Sequence, residues 1–103
     1  MTKVFVYGRL MANRHYHQHY LQGKTFLGTA VVNDYKNYSL GGLEGMVPEQ
    51  GEQVAGEVYE VDQKALQKLD HLHNIGTMFN RMIVDVKLEN GESLQTEAYV
   101  WNR

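Results

Sequence analysis

The sequence predicts a mixed α+β domain whose sheet curls into a small barrel, with two main flanking helices. Three observations lead there. Segments of strand character outnumber those of helical periodicity. Several connections between them are short. The chain of 103 residues has room for one domain, spanning residues 1–103, and not for two.

The opening run, residues 3–7, is β-branched and aromatic and is stopped by Gly8, which reads as a buried strand. Asn13 is placed to cap a helix over residues 14–22, where Tyr16, Tyr20 and Leu21 fall at helical spacing and Gly23 ends the run. Residues 25–32 form a second strand broken by Gly28, and Asn33 with Asp34 is a turn signal. A short strand at 35–40 runs into Gly41 and Gly42, and residues 45–51 read as a loop around the single proline, Pro48. Val54, Val58 and Val61 alternate in part with acidic residues, so 53–61 is a strand. Asp62 is then a helix cap, and Ala65, Leu66, Leu69 and Leu72 make one apolar face of a helix ending near Asn74, Ile75 and Gly76. Residues 78–88 alternate, Asn90-Gly91 is the strongest hairpin signal in the chain, and residues 93–101 complete the pair.

Composition narrows the function. The absence of cysteine removes disulfides, thiolate metal sites and a cysteine nucleophile. A formal net charge of −2 supplies no basic field for nucleic acid. No apolar run approaches a bilayer span, and the N-terminus is interrupted too early for a signal peptide. The expectation is a cytoplasmic protein with a small-molecule ligand and neither nucleic acid nor membrane as partner.

The segment Val4-Phe5-Val6-Tyr7-Gly8-Arg9-Leu10 resembles the gamma-glutamylcyclotransferase-like superfamily, whose signature is a strand, Tyr-Gly, a small or polar residue, and Leu. Val54-Ala55-Gly56-Glu57-Val58-Tyr59-Glu60-Val61 is similar to the family's central strand. Leu69-Asp70 near a helix end, Asn80-Arg81 before an alternating strand, and Ala98-Tyr99-Val100-Trp101 follow in the family's order. Tyr38-Ser39-Leu40-Gly41 with Gly45-Met46-Val47-Pro48 resembles the shorter bacterial members. The resemblance implies a gamma-glutamylcyclotransferase-like fold with a pocket at the barrel mouth. It also implies a Tyr-Gly loop whose backbone N–H groups face the substrate, and no metal or organic cofactor. In active members a glutamate just after the second helix moves a proton while the substrate's α-amine attacks its own γ-carbonyl. The products are 5-oxoproline and a free amine. At that position, four beyond Leu69, this chain has His73, and Arg9 stands where small hydroxyl residues are usual.

His73 is therefore the candidate catalytic residue, since imidazole shuttles protons near neutrality. Its bland reading is a surface histidine favoured by a helix C-terminus. Tyr7, Gly8, Arg9 and Leu10 are the candidate substrate loop: Gly8 allows close backbone approach, and Arg9 can clamp a carboxylate or phosphate. Tyr59 and Tyr99 are expected to line a polar cavity with their hydroxyls or to be ordinary core rings. His15 and His19, four apart, suit a chelating pair but have no third ligand nearby, so no metal is expected. Asp70 could share a helical face with His73, Gly41, Gly42 and Gly45 are too irregular for a phosphate cradle, and Glu44 is the other acid able to act as a displaced base. Two functions remain open. One is release of an amine from a γ-glutamyl amide by intramolecular cyclisation. The other is a catalytically inactive module that binds such a ligand or a protein.

Overall fold

The computed structural model describes residues 1–12, 16–40 and 43–102. The cap expected at Asn13, the chelating partner His15 and the Gly41-Gly42 pair lie outside the described residues. In order, the elements are β1 (Thr2–Val6), a 3-10 turn (Gly8–Leu10), α1 (His17–Tyr20), β2 (Thr25–Leu40), β3 (Leu43–Val61), α2 (Gln63–Leu72), β4 (Phe79–Leu88) and β5 (Ser93–Trp101).

The strands close into a barrel in the order β1-β3-β2-β4-β5. β1 pairs antiparallel with β3, from Thr2↔Val61 to Val6↔Glu57, and parallel with β5 at Val4↔Glu97. A strand in that central position is covered on both sides, which explains its unbroken apolar run. Phe5 points into the barrel with Val32, Met46, Val58, Val86 and Ala98. Val4 and Val6 point outward into a second apolar layer with Tyr59, Val61, Phe79 and Tyr99, and α2 covers that layer with Ala65, Leu66 and Leu69. Gly56 lets β1 and β3 approach closely, because a Cβ there would lie 2.2 Å from the Val6 carbonyl oxygen.

Several sequence expectations hold. Asp62 caps α2 by accepting from the Ala65 N–H at 2.8 Å, and that bond holds its carboxyl below the usual range. The α2 exit uses left-handed backbone at Asn74 (φ 47) and Gly76 (φ 89). The β4–β5 hairpin forms, but Asn90 and Gly91 are not its two central residues. The Gly91 N–H bonds Leu88 O and the Leu88 N–H bonds Glu92 O, with Gly91 alone at positive φ. This is a three-residue connection with glycine in the left-handed position.

Three expectations are corrected. Asn33 and Asp34 do not turn the chain. The ladder steps from Asn33↔Gln53 to Tyr35↔Pro48, so the extra length lies in β3, where residues 49–52 stand opposite Asp34 alone. Asp34 (φ 65) and Gly51 (φ 87) are both left-handed there, and Asp34 Oδ1 accepts from Gly51 N–H at 3.0 Å. This is a bulge, and β2 runs through it. For the same reason residues 45–51 belong to β3 instead of a loop, with Pro48 tolerated beside the irregularity. The helix expected at 14–22 is limited, among described residues, to His17–Tyr20, with Tyr16 at its start making no side-chain cap.

Candidate functional site

A cavity of about 220 Å³ opens at the barrel rim, lined by Tyr7, Arg9, Leu10, Tyr16, Glu44, Leu72, His73 and Phe79. β1 delivers the first wall. Tyr7 follows that strand in extended conformation, and the chain then needs a left-handed residue, Gly8 (φ 62), to enter the 3-10 turn. The Tyr7 hydroxyl donates to Tyr99 O at 2.6 Å and accepts from the Met46 N–H at 3.0 Å. One oxygen thus joins β1, β3 and β5. Burial first, and the nearby Glu44 charge last, push the Tyr7 phenol well above its ordinary range, so it stays neutral. Arg9 lies with its guanidinium carbon 5.7 Å from the Tyr16 ring centroid, a cation–π distance.

α2 delivers the second wall. His73 is its C-cap, and its Nδ1 lies 2.7 Å from Leu69 O. A carbonyl only accepts, so Nδ1 carries the proton and Nε2 keeps its lone pair. The ring is stacked on Tyr99 at 3.8 Å with 3° between planes, and meets the edge of Phe79 at 5.1 Å. Burial pulls the His73 pKa down to about 4, against the opposing pull of the Leu69 bond and Asp70. The imidazole is therefore neutral at pH 7.

Behind His73 lies a polar chain that does not line the cavity. Tyr99 Oη donates to Asp70 at 2.7 Å, and Arg81 bonds both Asp70 and Glu97, the latter at 2.9 Å. Burial raises the Tyr99 phenol first, and its bond to the Asp70 carboxylate raises it further. Burial opposes the Arg81 charge, yet its two carboxylate partners hold it firmly protonated. The set fixes the Tyr99 ring, and the ring fixes the imidazole plane.

The third wall comes from the β2–β3 hairpin. Glu44 is half-buried, and its Oε2 accepts from Asn37 Nδ2 at 3.0 Å. Its carboxylate rests on Gly8: a Cβ at that position would lie 2.7 Å from Oε1 and 2.8 Å from Oε2. A side chain at that position would push the carboxylate aside, and the left-handed backbone (φ 62) favours glycine there in any case.

Of the residues singled out from sequence, Tyr7, Arg9, Leu10 and His73 meet at this cavity, and Gly8 lies beneath Glu44. Tyr99 backs His73 without lining the cavity. Tyr59 faces the outer layer, where its hydroxyl donates to Glu57 at 3.0 Å and its ring lies 5.4 Å from both His17 and Phe26. Sequence reasoning did not single out Leu72 or Phe79 as lining residues. No local signal marks them, because strand and helix faces alike look like core. Among the described residues no three metal-ligating side chains gather, and no helix is long and apolar enough to cross a membrane.

Comparison with known proteins agrees with this architecture. Residues 4–103 match the family model described as gamma-glutamyl cyclotransferase, AIG2-like. The chain is 35% identical over 82 residues to the gamma-glutamylcyclotransferase family protein YtfP of Escherichia coli strain K12, covering 80% of this chain and 71% of that protein. It is 36% identical over 56 residues to gamma-glutamylaminecyclotransferase A of Danio rerio, covering 54% of this chain and 35% of that protein. The crystal structure of an AIG2-like protein from Mus musculus superposes with a TM-score of 0.83 at 27% identity, covering 97% of this chain and 76% of that one.

Proposed function

This chain belongs to the gamma-glutamyl cyclotransferase, AIG2-like family, and from that premise we propose that its rim cavity binds a small γ-glutamyl amide and releases the amine by closing the glutamyl part to 5-oxoproline. The observation that supports this reading is the convergence on one cavity of Tyr7, Arg9 and Leu10 from the turn after β1 and of His73, whose Nδ1 bond to Leu69 O leaves Nε2 its lone pair. Arg9 takes the substrate's α-carboxylate through its planar fork of donors. Tyr7 and Leu10 shape the floor, and the turn around Gly8 brings backbone close enough to receive the carbonyl oxygen. His73 Nε2 carries a proton from the attacking nitrogen to the leaving one.

The chemistry asks little more. The α-nitrogen begins as ammonium and ends as a lactam N–H, so it loses two protons. A leaving alkylamine or amino-acid nitrogen begins as an amide N–H and ends as ammonium, so it gains two; p-nitroaniline leaves neutral, gains one, and the other proton goes to solvent. No oxidation state changes and no net proton is consumed. Holding the amine against its own carbonyl supplies the rest, since aligned intramolecular attack is worth about 7–11 kcal/mol over the bimolecular reaction.

The test is a panel of γ-glutamyl-p-nitroanilide, γ-glutamylmethylamide and γ-glutamylalanine, with 5-oxoproline measured by chromatography. Turnover is expected with at least one of them, falling by about 10²–10⁴ in His73→Ala. Arg9→Ala is expected mainly to raise KM. Thermal stabilisation by these compounds without turnover would leave a binding module, the reading favoured by how weak a base His73 is. No turnover and no stabilisation would refute both.

A further inference from the structure

The cavity holds two charged side chains that do not neutralise each other. Arg9 and Glu44 both line it, yet no Lys, Arg or His among the described residues lies within 4.0 Å of the Glu44 carboxylate. The hydrogen bond found for that carboxylate comes from the neutral Asn37 amide. The Oδ1 of the same amide is buried and lacks a partner among the described residues. A half-buried carboxylate without a counter-ion suits a cation with several N–H groups, and the Asn37 amide that holds that carboxylate does not itself line the cavity. Separated charges of both signs on one cavity match the head of an α-amino acid, which carries an ammonium and a carboxylate together.

His73 supplies no negative charge to hold the ammonium. Its Nδ1–H is committed to Leu69 O, and neutral imidazole offers a lone pair with no charge. Among the described lining residues Glu44 is the one carboxylate, and Gly8 leaves the space it occupies. We infer that Glu44 binds the ligand's α-ammonium and takes the first proton from it, an assignment that rests on the γ-glutamyl reading above. The ammonium passes that proton to the carboxylate, and the freed amine forms the new C–N bond at the γ-carbonyl carbon. The carbonyl π pair moves onto oxygen. Protonated Glu44 returns the proton to the leaving nitrogen, the old C–N bond breaks, and the carbonyl re-forms. The second proton of the new ring nitrogen passes through His73 Nε2 to the departing amine.

The experiment compares wild type, Glu44→Gln and Glu44→Ala on the best substrate of the panel, with melting curves to confirm folding. Glu44→Gln is expected to lose about 10²–10⁴ in kcat, the range for a removed acid–base group. Formate, which fits the space vacated in Glu44→Ala, is expected to restore turnover in proportion to its concentration. The matching glutaric acid monoamides, which lack the α-ammonium, should stabilise wild type and Glu44→Gln equally, whereas the γ-glutamyl amides should favour wild type. If wild type turns over or binds the panel and Glu44→Gln does so within threefold, this assignment is overturned while the functional reading stands. If wild type neither turns over nor binds the panel, the functional reading falls and takes this assignment with it.

Discussion

Replacing Tyr7 by Phe removes a single oxygen and keeps the ring. That oxygen donates to Tyr99 O at 2.6 Å and accepts from Met46 N–H at 3.0 Å, both buried and both linking distant segments. Losing the donated bond costs about 0.5–1.5 kcal/mol, and stranding the buried Met46 N–H costs about 1–3 kcal/mol. The expected loss is therefore about 2–4 kcal/mol, out of about 5–15 kcal/mol for a domain of this size. Urea unfolding reads this directly. With a slope of about 1–3 kcal/mol/M, the midpoint should fall by about 1–2 M while the slope is unchanged. A midpoint within about 0.3 M of wild type would show that the hydroxyl is not the joint between β1, β3 and β5, and would refute the reasoning.

Two further outcomes follow from the same geometry. The His73 pKa is depressed in the fold to about 4, so between its unfolded value near 6.5 and that point the unfolded chain binds the proton first. Its contribution is complete above pH 6.5 and is lost as pH falls toward 4. Wild type should lose about 2–3 kcal/mol more than His73→Asn between pH 7 and 4.5 in urea titrations, and equal losses would contradict it. Gly8→Ala combines a left-handed backbone with a Cβ in contact with the Glu44 carboxylate, whereas Gly23→Ala (φ 81) meets nothing within 4 Å. Each should cost about 1–2 kcal/mol of strain, but only Gly8→Ala should abolish turnover. Equal kcat in the two variants would argue against a carboxylate seated on that turn.

Local chemistry made much of the fold legible. Asp62 before an apolar helical face, glycine at the β4–β5 connection, and the apolar run of β1 each carry their signal in a few residues. The continuity of β2 and β3 does not. Asn33 and Asp34 have turn chemistry, and Asp34 uses its tolerance of positive φ to face the extra residues 49–52 of β3 instead, because long-range pairing with β3 decides the outcome. At the site, the turn after β1 and the end of α2 are recognisable from sequence, and they do converge. Tyr59 and Tyr99 face the outer layer because strand parity, which a bulge can flip, decides the side. Glu44 reaches the cavity only because its hairpin folds back along the rim, where the Met46 N–H meets Tyr7. That contact spans 39 positions and leaves no trace in local pattern.

The register offset at Asp34 divides the long β2–β3 hairpin into two pieces of different character. The inner piece is a stave of the cask. The outer piece, from Tyr35↔Pro48 outward, carries the acid and is moored at Met46 by the Tyr7 phenolic oxygen and by pairing with Val100 of β5. Such a joint makes the outer piece a natural unit for grafting: exchanging it transplants the acid, with its length and angle of reach, while the staves keep their register.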